Sequence, residues 1–284
     1  MLKLHRPTFT SVLLFGLCCS DTFGATFQWN NLTQNWSAPA GWAGSVAPSG
    51  TNTTDILSFA GDTGTVLGAA PNYTATNDIV ASPFLLNAIS LNATNVSALP
   101  TDPALNIAGG ALRFGGTNPA LVQNGAGAFT FTTPVEIPSA MRFAGNGAGV
   151  VTLNRGVSGL GTIVKDGSSV FRFGTTPVFP AVVGPSENTW FGPLVINAGI
   201  VRFNNNADSG RTAVRGNPVT MAAGTTLTCS SELRLGVLAG SGGMVESQVT
   251  ALDADRRILS SRPLAVGLSA ARCGSASPRG RATM

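Results

Sequence analysis

Leu112-Arg113-Phe114, Met141-Arg142-Phe143, Phe171-Arg172-Phe173, Val201-Arg202-Phe203 and Leu233-Arg234-Leu235 decide the fold of this chain. Each tripeptide sets an arginine between two apolar residues, and the copies recur at nearly even intervals. Apolar, polar, apolar is the period-two pattern of a half-buried strand. A recurrence near thirty residues points to a solenoid, in which each unit exposes an oily face that the next unit covers. The arginines are expected to occupy the same place in successive rungs, facing solvent while their neighbours face inward.

The stretches between obey the same rule. Phe129-Thr130-Phe131-Thr132, Val135-Glu136-Ile137, Leu194-Val195-Ile196 and Leu227-Thr228-Cys229 alternate in the same way. Asn124-Gly125, Asn146-Gly147, Asp166-Gly167 and Ala198-Gly199 separate them, and Gly and Asn reach the left-handed backbone region that tight corners use. Gly and Pro leave little room for a helix between residues 100 and 243. The run from Met244 to Arg262 lacks both, so a short capping helix is one reading there, with Asp253 shortly before Arg257 on the same helix face.

Charged residues make up only 11% of the chain, against roughly 25% in typical domains. The hydrophobic share of 43% is ordinary, so the chain has a core to bury. The net charge of +4 misleads. Residues 251–284 carry six Arg against two Asp and account for all of it, while residues 25–250 hold nine basic and ten acidic residues. With no basic stripe on the body, nucleic acid is not an expected partner.

Lys3, His5 and Arg6 precede the apolar run Val12-Leu13-Leu14-Phe15-Gly16-Leu17, with small residues Thr22 and Gly24 before Ala25. This reads as an export signal over residues 1–24, and the run is well short of the ~20 residues that span a bilayer. No later segment is expected to cross a membrane as a helix. Cys18 and Cys19 would leave with the signal. Cys229 and Cys273 could pair in an oxidising compartment, but Cys229 reads better as a small core-facing side chain.

Residues 25–60 hold Trp29, Trp36 and Trp42, three of the four tryptophans. Exposed, they would stack on sugar rings and make a carbohydrate-binding site. Buried, they would close the open end of the solenoid, whose strand edges are otherwise free to aggregate. Capping is the preferred reading, because a terminal unit must be atypical.

Glu187-Asn188-Thr189-Trp190-Phe191-Gly192-Pro193-Leu194-Val195-Ile196-Asn197-Ala198-Gly199-Ile200-Val201 resembles the autotransporter-associated β-strand repeat. Ser158-Gly159-Leu160-Gly161-Thr162-Ile163-Val164-Lys165-Asp166-Gly167 looks like the element that links such repeats, and Leu238-Ala239-Gly240-Ser241-Gly242-Gly243-Met244-Val245 is a weaker echo. The opening, from Asn35-Trp36 through Gly41-Trp42 and Pro48 to Asp55-Ile56-Leu57-Ser58-Phe59, is similar to that of many such bacterial proteins. The resemblance covers roughly residues 25–245. It implies an extracellular or outer-envelope right-handed β-helix, often the passenger of a secreted protein, and no catalytic residues. Two features depart from the family: its members are usually longer, and many end in an outer-membrane barrel or a sorting tail, neither of which is visible in these residues. The Arg/Ala-rich residues 249–284 read as a disordered tail or a truncated or frame-shifted end.

Cleaved near Ala25, the chain has no histidine, one lysine (Lys165) and one tyrosine (Tyr73). Serine–histidine, cysteine–histidine and histidine–metal chemistry are excluded by that inventory. Gly145-Asn146-Gly147-Ala148-Gly149 reads as corners and not as a phosphate loop, and no cofactor or metal is expected. Carboxylates remain: Asp55, Asp62, Asp78, Asp102, Glu136, Asp166, Glu187 and Asp208. Glycoside hydrolysis needs two of them close together, and a lyase would set Asp166 near Arg172 or Arg142. Each reads more simply as a solvated turn residue.

The expected fold is therefore all-β, a right-handed parallel β-helix of five to eight rungs. Residues 25–60 form its aromatic-rich cap and 61–248 its repeats. The expected function is non-catalytic: an exported structural or surface-display protein, adhesin-like, at the envelope or outside the cell. Envelope or extracellular polysaccharide, or surface proteins, are the expected partners. The alternatives are a carbohydrate-binding module through Trp29, Trp36 and Trp42, or a polysaccharide lyase or hydrolase.

Overall fold

The computed structural model describes residues 24–61, 73–94, 105–174, 189–204, 217–229 and 235–247. The export signal, the tail and Arg234 lie outside the described residues, as do Asp62, Asp102, Glu187, Asp208 and Cys273.

Short strands dominate, and they stack into three parallel sheets. The first sheet runs through nine strands, from Thr26–Gln28 and Ile56–Phe59 to Leu235–Gly240. The second also has nine, from Gln34–Asn35 to Met244–Ser247. The third has five, from Phe84–Leu86 to Thr189–Trp190. Through the middle of the molecule the chain visits first, second and third sheet in turn and then rises to the next rung. Every pairing between these strands is parallel. Among the described residues this is a parallel β-helix of nine rungs, one more than the upper end of the sequence-based range. The ladder also begins inside the segment assigned to the cap, because Thr26–Gln28 already pairs with Ile56–Phe59.

Alternation does what the sequence led us to expect. Inward positions line up across rungs: Leu57, Ile89, Leu121, Phe143, Lys165, Ile196 and Met221 form one column of the first sheet. In the second sheet Phe129, Val151, Phe171, Val201 and Leu227 do the same. Phe173 lies face to face with Phe203 one rung on, ring centres 4.8 Å apart. All these side chains are buried, so each rung hides the oily interior of its neighbour.

The arginine column is the correction. Arg113 lies in the third sheet, Arg142 in the first, and Arg172 and Arg202 in the second. Only the last two face each other across a rung boundary. The regular rungs are shorter than the arginine spacing, and their length is constant: Phe129 pairs with Val151, Val135 with Val157 and Met141 with Ile163. With three sides to a rung of that length, a step from one arginine to the next advances one rung and one side. The arginines thus spiral around the solenoid until Arg172. From Arg172 to Arg202 the step between paired residues is longer than in the regular rungs, and the two arginines align. Their outward orientation holds at every described copy.

Corners rely on glycine in two ways. Gly167 and Gly199 adopt positive φ (75° and 74°), the conformational role expected of them. Gly147 does not. A Cβ there would stand 2.1 Å from the Gly125 carbonyl oxygen of the rung below, so close stacking demands the glycine. The helix considered from residue 244 is absent at its start, where Met244–Ser247 is the final strand of the second sheet.

Candidate functional site

Trp29, Trp36 and Trp42 are 1%, 0% and 1% exposed. Trp42 stands edge-on to Trp29 (4.8 Å, 79°) and to Trp36 (5.9 Å, 75°), between two short 3-10 turns, Pro39–Gly41 and Ala43–Ser45. Phe59 lies about 6 Å from each of the three indoles, and Phe84 meets Trp36 edge-on at 5.1 Å. Trp42 Nε1 donates to the Trp36 carbonyl (2.8 Å) and Trp29 Nε1 to the Leu32 carbonyl (3.0 Å). The rings cover one another and the first rungs. They present no free face on which a sugar could stack.

The described carboxylates are held apart in separate local networks. Asp55 is buried just before the first-sheet strand Ile56–Phe59; burial raises its pKa, opposed by the Ala25 backbone and the Asn52 amide. Asp78 accepts from Ser37 N (2.9 Å) and Ser37 Oγ (2.5 Å). Partial burial would raise it, but the hydrogen bonds it accepts, from Ser37 first and then from its own backbone and Asn35, together outweigh that and its pKa falls. Glu136 pairs with Arg113, its neighbour across the third sheet, at 2.7 Å. Asp166 accepts from Arg142 Nε of the preceding rung (2.9 Å) and Asn197 Nδ2 of the following one (2.9 Å). Burial opposes these bonds without winning, and its pKa is lowered. Asp166 thus meets Arg142 and not Arg172, as a strut between three rungs.

Lys165 is the residue whose place the sequence reading missed. It is fully buried in the first-sheet column, where its neighbours are Phe143 and Ile196. Its Nζ donates to the carbonyls of Asp166 (3.0 Å), Gly167 (2.6 Å) and Ala198 (3.4 Å), and lies 5.5 Å from the Phe171 ring centre. Burial pushes its pKa down to about 8, against the pull of Asp166. Chemically it is a tie for two successive corners. The signal was legible: in Ile163-Val164-Lys165 the period of two puts Lys165 on the face of Ile163.

Among the described residues no group of three or more His, Cys, Asp or Glu could hold a metal ion. No helix among them is long and apolar enough to cross a membrane. Cys229 pairs by its backbone with Phe203, and its side chain lies outside what is described. The chain is a parallel β-solenoid with an aromatic N-terminal seal. No family model, curated protein or solved structure matches it.

Proposed function

We propose that this chain is an exported, non-catalytic structural protein, used as a stalk or surface-display segment at the cell envelope or outside the cell. One observation carries the reading: two unbroken nine-stranded sheets run the length of the solenoid. Nine rungs at about 4.8 Å each give a body roughly 40 Å long whose length is set by repetition. The positive n-region and apolar run at residues 12–17 support export. The likeness to autotransporter-associated repeats supports an outer-surface address, with adhesion to polysaccharide or surface proteins as its use. Cutting into residues 1–24 should trap the chain inside the cell, whereas the full chain on intact cells should be open to added protease or recovered in the medium. A full chain retained in the cytoplasm would defeat the proposal. So would turnover of any polysaccharide by the purified protein.

A further inference from the structure

The outer face of the second sheet carries a column unlike any other in the molecule. Thr152, Arg172, Arg202 and Thr228 occupy one position in four consecutive rungs, and Glu246 follows beyond Thr228. Arg172 and Arg202 stand directly opposite each other, one strand spacing (about 4.8 Å) apart. The two ion pairs among the described residues belong to Arg113 and Arg142; neither Arg172 nor Arg202 takes part in one.

Five buried side-chain polar atoms lack a hydrogen-bond partner among the described residues, and three of them are here: Arg172 Nε, Arg202 Nε and Thr228 Oγ1. Thr228 is only 2% exposed. Buried donors without partners are costly, and their convergence in three successive rungs is not a scatter of defects. Burial, and then the charge of Arg202, lower the pKa of Arg172. Val170 and Ile200, two residues before each arginine and also paired with each other, lay a half-buried apolar strip beside the charges.

We propose that Arg172 and Arg202, with the Thr228 hydroxyl, bind an oxyanion bridging two rungs: the sulfate or carboxylate group of an acidic ligand. Each guanidinium offers a planar edge of parallel N–H donors that matches two oxygens of such a group. An anion between them removes the mutual repulsion and supplies acceptors to both Nε–H groups. The hydroxyl of Thr228 adds a third donor from the next rung. Glu246 follows one rung beyond Thr228 and ends the column on that side, so the anion sits at Arg202, within reach of Arg172 on one side and Thr228 on the other. The ligand is either a free anion or an acidic polysaccharide bearing the same group. The site stands on its own geometry, independently of the structural role proposed above.

The test is calorimetric titration of the full chain, in chloride buffer at fixed ionic strength, with sodium sulfate and with sulfated dextran. Saturable binding is expected, weakened roughly tenfold or more by Arg172→Gln or Arg202→Gln. Arg172→Lys should lose nearly as much, because the charge stays and the fork goes. Arg113→Gln should change nothing. Circular dichroism confirms that each variant still folds as β-structure. Response to sulfate itself identifies the free-anion source, and arginine-dependent response to the dextran alone identifies the polymer. Binding that survives both glutamine substitutions, or no response to either ligand, overturns the proposal.

Discussion

The first and the last described rungs are finished differently. At the start, three indoles and two phenylalanines interlock over the first rungs, and every one of those rings is buried. In the last described rung, residues 237–246 hold no buried side chain; Val237 is 59% exposed and Met244 37%. A rung in a stack has its stability from its neighbours, so a rung with one neighbour must find another cover or remain weak. The start finds that cover in large, rigid rings. Among the described residues, the difference separates a strongly covered first rung from a weakly covered last one.

The largest effect should come from breaking the sealed end. Trp36→Ala is expected to cost about 3–5 kcal/mol in urea unfolding, since it empties the centre of the ring cluster. Val245→Ala, at the other end, should cost roughly 1 kcal/mol or less, because its side chain is only partly covered. Equal costs at both ends would remove the contrast. Hydrogen exchange should agree, with faster exchange in Met244–Ser247 than in Ile56–Phe59.

A second prediction tests the middle. Folded, Lys165 loses its proton near pH 8; unfolded, it keeps it to the ordinary 10.5. Between those values the unfolded state binds more protons, so stability rises with pH. The gain by pH 10 is at most roughly 2–3 kcal/mol, and the three carbonyl bonds, which favour the charged form, trim it. Above pH 10 the sign reverses, because burial raises Tyr73 and its unfolded form ionises first. Lys165→Met should abolish the rise between pH 8 and 10. A wild type whose stability falls across that window would show that Lys165 is not held as described.

Gly147→Ala is the third and somewhat smaller test, at roughly 1–3 kcal/mol. Its backbone has no positive φ, so conformational freedom alone would tolerate alanine; the Gly125 carbonyl against its Cβ position would not. No loss of stability there would mean that the corner relaxes more easily than the sealed end does.

How much of this was readable beforehand depends on the distance over which each feature is set. Alternation acts between adjacent residues, so Phe129-Thr130-Phe131 declared its strand and its inward face at once. The fate of the tryptophans followed from the same local argument about ends. Rung length is different, because it depends on where corners fall and on how much chain loops out between strands. The spacing near thirty was real but mixed a rung with a side, and only at Arg172 and Arg202 did it coincide with a full turn. The spacing led to the right architecture by way of an incorrect period. Partners across rungs, such as Asn197 on Asp166, stay invisible until the register is known.

The smallest prediction separates burial from charge as the source of the middle's strength. Arg113 and Glu136 meet at 2.7 Å, directly across two strands, but their side chains are 47% and 29% exposed. Solvent screens such a pair, and holding two long side chains costs entropy. A double-mutant cycle with Arg113→Gln and Glu136→Gln should return a coupling of about 0.2–1 kcal/mol that shrinks as salt is added. A larger coupling, insensitive to salt, would mean that outer ion pairs share the work of holding rungs together. In that case Arg172 and Arg202, which form no such pair among the described residues, would weaken their rungs relative to the one at Arg113. A small, screened coupling leaves the buried columns as the source of cohesion, and the contrast between the two ends then reduces to how well each covers its last column.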